Sequence, residues 1–168
     1  AEGLEVLALG TLDPLEEGRS LISLIPKISQ SGGLPVIPWG VGKWLGARGN
    51  LVKSIIEQNE IRPLFLGDNG NRPTFWPRPK YFELAEKKGI ALLPGSDPLP
   101  FPSEIVKIGR FGFKISGSIN PGYPGRDIKK LLLDPATKPE IFGSLEKPLR
   151  FFRNQLKMNR PGGSRGVQ

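Results

Sequence analysis

The 168-residue chain contains no cysteine, no histidine and a single methionine. Without Cys there is neither a disulfide framework nor thiolate chemistry, which fits a reducing compartment. Without His, a Ser-His-Asp or Cys-His nucleophile pair and any His-ligated zinc site are excluded within the chain. Acid and base work then falls to Asp, Glu, Lys, Tyr or water. Long apolar runs are also missing. No stretch approaches the length of a membrane span, and the first residues lack the basic-then-apolar order of a signal peptide. The expectation is a soluble, cytoplasmic chain with no membrane partner. There is no initiator Met and a strand pattern starts almost at once, which suggests a processed chain or the later part of a longer one. Acidic residues cease after Glu146, whereas Lys147, Arg150, Arg153, Lys157, Arg160 and Arg165 follow it. Of the net charge of +8, all but +2 comes from those six residues. The body is nearly neutral, and the excess sits near the C terminus.

What the chain does have is a repeated plan. Apolar stretches beginning near residues 5, 35, 63 and 90 each end in glycine or a polar residue. The spacing of about 30 residues suits a strand, loop, helix and return loop. Asp13-Pro14-Leu15-Glu16 reads as a helix start, with a cap, a first-position proline and a glutamate three residues on. Leu21, Leu24, Ile25 and Ile28 continue that helix to Gln30, with Pro26 as a kink point. Asn50 reads as the cap of a second helix carrying Leu51, Val52, Ile55 and Ile56. A third carries Tyr81, Phe82, Leu84 and Ala85 and stops at Gly89. Alternating elements of this kind predict an α/β fold whose parallel sheet is built from four βα units. Half of a (β/α)8 barrel is the leading architecture, and an open doubly wound sheet is the alternative. Further on, Ser103 can cap a short helix, Phe111, Phe113 and Ile115 alternate as in a strand, and 127–133 and 148–158 read as helices. One domain over 1–158 and a flexible basic tail over 159–168 follow.

The strand ends carry the candidate chemistry. Gly95-Ser96-Asp97-Pro98 closes the fourth apolar run, where Asp97 reads equally as a catalytic carboxylate and as a turn residue. Gly67-Asp68-Asn69-Gly70-Asn71-Arg72 follows the third. Asp68 and Asn69 suit a hard cation or sugar hydroxyls, and Arg72 suits a phosphate or carboxylate. The plain alternative is an Asn-Gly loop with a solvated arginine. Trp39-Gly40-Val41-Gly42-Lys43-Trp44 follows the second. Its glycines lack phosphate-loop spacing and Lys43 is not followed by Ser or Thr, but Lys43 and Arg48 can attract an anion. In the last helix, Leu149, Phe152 and Leu156 form an apolar stripe, and Arg150, Arg153 and Lys157 lie on another face. The stripe is expected to dock on the body with the basic face outward. Nucleic-acid binding through that face is the sharper alternative.

Taken with Phe152-Arg153-Asn154-Gln155-Leu156, these strand-end motifs resemble the later half of a metal-dependent hydrolase barrel of the PHP/amidohydrolase-like kind. In that family the last barrel strand ends in a Ser-Asp motif whose aspartate binds metal or handles the catalytic water's proton. The resemblance implies that role for Asp97. It also implies a divalent metal at Asp97, with other ligands from an absent first half or a partner chain, because the family's histidines have no counterpart here; Asp68, by its residue type at a strand end, is the further metal ligand expected. The function expected is hydrolysis of an anionic or polyhydroxylated small molecule by metal-activated water, with Lys43, Arg48, Asp68, Asn69, Arg72 and Ser96 binding substrate. The alternative is a non-catalytic module for phosphorylated ligands or nucleic acid, using the basic C-terminal helix and tail.

Overall fold

Leu-Pro-Val-Ile-Pro and Phe-Leu-Gly-Asp are too short and too uniformly apolar to show one face to water, so they form strands covered on both sides. The structure, a computed structural model, describes residues 2–16 and 18–158. Four strands, β1 (Leu7–Leu9), β2 (Leu34–Pro38), β3 (Phe65–Asp68) and β4 (Leu92–Pro94), form one sheet in the order β1-β2-β3-β4. Three helices connect them: α1 (Leu21–Gln30), α2 (Gly46–Gln58) and α3 (Lys80–Lys87). Ile37, Leu66 and Leu92 lie side by side across the sheet and pack with Leu21 and Ile25 of α1, Val52, Ile55 and Ile56 of α2, and Phe82 and Ala85 of α3. On the opposite face Val36, Phe65 and Leu93 meet Phe113 and Leu132. Those two residues belong to β5 (Phe111–Lys114) and α4 (Pro124–Leu133). β5 pairs antiparallel with β6 (Glu140–Gly143), and α5 (Pro148–Met158) ends the described chain.

The α/β class and the placement of the three connecting helices follow the sequence pattern, but four expectations are corrected. First, β1 runs antiparallel to β2, with Leu7 opposite Val36 and Leu9 opposite Leu34. Its carboxyl end therefore lies at the amino end of β2, where the methyl group of Thr11 is against Gly33. Only β2, β3 and β4 run parallel. Second, α1 starts at Leu21 and not after Asp13. Gly18 has a φ of 78°, which breaks helical geometry, and Ser20 provides the cap, its side chain accepting the Ser23 N–H at 3.3 Å. Third, α2 begins four residues before Asn50, with no side-chain cap at its start.

The fourth correction concerns α5. Phe151 and Asn154 are its buried residues, while Leu149, Phe152 and Leu156 are 84%, 54% and 67% exposed. Buried polar partners decided this orientation, as the site below shows. The expected tail at 159–168 lies outside the described residues. No described helix is long and apolar enough to cross a membrane.

Candidate functional site

The carboxyl ends of the three parallel strands converge on one cavity of about 490 Å³, walled on its far side by α5. Parallel strands place their terminal loops together because all three chains leave the sheet on the same edge. The ladder stays intact up to the mouth: Trp39 N–H donates to Gly67 O at 2.8 Å, and Gly95 N–H to Asp68 O at 2.8 Å. The loop after β2 brings Gly40, Val41 and Lys43 to the cavity, the loop after β3 brings Asn69 and Asn71, and the loop after β4 brings Asp97 and Leu99. Glu146, Phe151, Asn154 and Gln155 close it from the other side.

Asp97 sits at the centre of the strand-end contacts. Its backbone is in the left-handed region, at a φ of 33°, where only glycine is free of strain and Asp and Asn are the best tolerated of the rest. Two amides from the β3 loop hold it. Asn69 Nδ2 donates to Asp97 Oδ2 at 3.2 Å, and Asn71 Nδ2 donates to the Asp97 carbonyl at 2.8 Å. The Oδ1 oxygen carries no hydrogen bond among the described residues, which leaves its lone pairs free to accept one.

A buried ionic cluster ties this mouth to α5. Glu104, fully buried in the 3-10 helix Pro102–Lys107, accepts from Arg150 Nη2 at 2.9 Å and Asn154 Nδ2 at 3.2 Å through Oε1. Its Oε2 lies 3.1 Å from Lys107 Nζ, without the angle of a hydrogen bond. Lys107 also donates to Glu146 Oε2 at 2.6 Å and to Asn71 Oδ1 at 2.7 Å. Burial by itself pushes the Glu104 carboxyl up, but the adjacent Lys107 ammonium and the hydrogen bonds from Arg150 and Asn154 outweigh it and hold the group below its usual range. Glu146 reaches the mouth through short backbone pairing with the β3 loop: Thr74 N–H donates to Glu146 O at 3.0 Å and Glu146 N–H to Arg72 O at 3.1 Å. Lys107 thus links both carboxylates to Asn71, and Asn71 to Asp97. One polar atom in this wall is left over. Asn154 is 2% exposed and its Oδ1 has no hydrogen-bond partner, although the residue lines the cavity.

The residues singled out in the sequence fare unequally. Lys43, Asn69 and Asp97 line the cavity together. Lys43 also pairs with Glu5 at 2.5 Å. Asp68 and Arg72 face each other instead, with Nη2 to Oδ2 at 2.9 Å, and Asp68 Oδ1 accepts the Gly70 N–H at 3.2 Å. Both side chains are almost wholly buried, and the pair holds the β3 loop together. Arg48 donates to the carbonyls of Gly42 and Gly3, at 3.0 and 3.4 Å, and braces the chain entering the domain. The Ser96 hydroxyl donates to the Phe111 carbonyl at 3.0 Å and lines a second, smaller cavity. Residues not foreseen are Asn71, Lys107, Glu104, Glu146 and Asn154. Asn71 and Asn154 stood inside quoted motifs. Lys107, Glu104 and Glu146 join the site through partners tens of residues away.

A divalent metal needs several oxygen or nitrogen donors converging on one point. Among the described residues no group of three or more Asp or Glu side chains is placed to hold one, and Asp68 is engaged by Arg72. The donors present therefore do not fit a metal held by these residues alone. No protein-family model, curated protein or solved structure matches the chain.

Proposed function

We propose that the cavity at the strand ends binds a small polyhydroxylated molecule and that Asp97 activates water for its hydrolysis. The character of the lining carries this reading. Asn69, Asn71, Asn154 and Gln155 supply amides and Asp97 and Glu146 supply carboxylates, while Lys43 is the one cation, already paired with Glu5. Amides and carboxylates arranged over an apolar wall of Leu99 and Phe151 suit hydroxyl groups, each of which both donates and accepts. An anionic substrate fits less well, because Arg48 and Arg72 have their guanidinium groups turned to other partners. Asn154 Oδ1 is buried and unpartnered beside the cavity, a polar atom that a ligand hydroxyl could satisfy only after a small side-chain movement.

In the hydrolytic step Asp97 Oδ1 takes a proton from water as the water oxygen bonds to the electrophilic centre, and the departing group leaves with a proton from solvent. The Asn69 amide keeps the carboxylate turned to the mouth. A metal centre of the PHP/amidohydrolase-like kind would need ligands from elsewhere, and the barrel reading supplies a place for them. We take β2, β3 and β4 as three barrel-like βα units. Their strand order has no reversal and α1, α2 and α3 pack on one face, which supports a barrel relative, whereas Leu132 of α4 meets the opposite face as in an open two-sided sheet. The antiparallel β1 marks a departure from a regular half barrel.

The test is Asp97→Asn, assayed against a panel of sugar esters and glycosides with and without a chelator. Hydrolysis should fall by about a hundredfold or more while ligand binding persists. Equal turnover by the two proteins would overturn the proposal. Binding without turnover in either protein would leave the non-catalytic module as the correct reading, and loss of activity on chelation would place metal ligands outside the described residues.

A further inference from the structure

Beside the main cavity, and sharing only Glu146 with it, lies a pocket of about 170 Å³ between the start of β5 and the amino end of α5. Four cationic side chains, Lys107, Arg110, Lys147 and Arg150, line it against the single carboxylate of Glu146. Two of them are built into the fold. Lys107 and Arg150 are 12% and 22% exposed and are held in place by Glu104 and Glu146. The other two, Arg110 and Lys147, are exposed and have no acidic partner among the described residues. Even with Glu104 counted beside Glu146, two positive charges remain unbalanced. The first turn of α5 carries no acidic side chain, although just before it Glu146 Oε1 accepts the Lys147 N–H at 2.9 Å and offsets part of the positive helix end. The Ser144 hydroxyl lies in the same wall.

We propose that this pocket is an oxyanion site that takes a phosphate group, either free or carried as a monoester. A dianion matches the surplus of two charges. Arg110 offers a planar fork to two of its oxygens, and Lys147 supplies a second exposed cation in the same wall. At about 30 Å³ per water molecule, the volume holds one such group with bridging waters and is too small for a further bulky portion. A monoester would extend its organic part into solvent. The site adjoins the hydroxyl-binding cavity through Glu146 and the Lys107–Asn71 bond, but among the described residues none of its four cations bonds to Asp97.

Calorimetry and amide NMR of the full chain, titrated with inorganic phosphate and separately with glycerol phosphate at constant ionic strength, test the site. Saturable one-to-one binding is expected, with the largest shifts at Arg110 and at residues 144–147. Arg110→Ala with Lys147→Ala should weaken it by about tenfold or more, while Lys114→Ala leaves it unchanged. Both substitutions fall on exposed side chains, and a melting curve matching the parent confirms that the fold is kept. Tighter binding of glycerol phosphate than of phosphate assigns the site to monoesters, and the reverse assigns it to the free ion. Non-saturating shifts, or affinity equal in the double variant and the parent, would overturn the proposal.

Discussion

Asp97 and Glu104 are the two carboxylates on which the molecule's polar architecture turns, and they differ in almost every physical respect. Asp97 is exposed, strained at a φ of 33°, and open on one oxygen. Strain of this kind costs about 1–3 kcal/mol and persists only where surrounding contacts enforce it, here the amides of Asn69 and Asn71. Glu104 is fully buried and enclosed by Lys107, Arg150 and Asn154. Replacing Glu104 with Gln removes one counter-charge from the partly buried Lys107 and Arg150, which keep Glu146, and urea denaturation should show a loss of about 3 kcal/mol. The pH dependence has a definite sign. Its folded pKa lies below the ordinary value of 4.5, so its stabilising effect is complete above that value. The effect is lost as pH falls through the lowered folded pKa. Stability of the parent should therefore fall on acidification below about 4.5, and Glu104→Gln should flatten that part of the profile.

At the scale of the element, α5 shows why periodicity alone misjudged a face. Its apolar stripe of Leu149, Phe152 and Leu156 is contiguous on a helical wheel, and hydrophobic burial alone would turn it inward. Inward instead goes the face carrying Phe151 and Asn154, with Arg150 at its margin, because these groups answer a buried Glu104 that no stretch of leucine can satisfy. Aromatic contacts complete the docking: Phe151 meets Trp76 edge-on at 6.0 Å, and Trp76 meets Trp39 at 6.5 Å. Substitution tells the faces apart. Phe151→Ala should destabilise the protein by about 3–5 kcal/mol in denaturant titrations, whereas Leu149→Ala and Leu156→Ala should stay within about 0.5 kcal/mol. The reverse ranking would place the stripe inside. The short strands tell a similar story. Glu140–Gly143 has no strong strand pattern and becomes one only because Phe111–Lys114 offers a free edge.

At the scale of the whole molecule, the two β layers are locked together at Gly70. Its φ of 66° favours glycine, and a Cβ there would lie 2.6 Å from Cδ1 of Phe111, the first residue of β5. The β3 loop and β5 can approach only because that atom is missing. Gly70→Ala should cost roughly 2 kcal/mol or more in thermal or chemical unfolding, from overpacking and backbone strain together. Because Gly70 stands between Asn69 and Asn71, the same substitution should also disturb both amides on Asp97, which side-chain amide NMR would register.

The sequence by itself determined the alternation of strands and helices, because a period of about 30 residues with buried apolar runs allows few other arrangements. It also placed Lys43, Asn69 and Asp97 at strand ends that do meet. These are local properties: strand length, turn chemistry and the direction in which a parallel chain leaves its sheet. Tertiary structure alone decided the direction of β1, which depends on how a short chain with Gly18 in it returns to Leu34. It also decided that Asp68 and Arg72 serve each other and that α5 turns its polar residues inward. In the last two cases the outcome was set by pairing a buried charge with a partner, and such partners are chosen in space. Glu104 and Arg150 stand 46 residues apart and 2.9 Å from each other, a proximity that no pattern along the chain records.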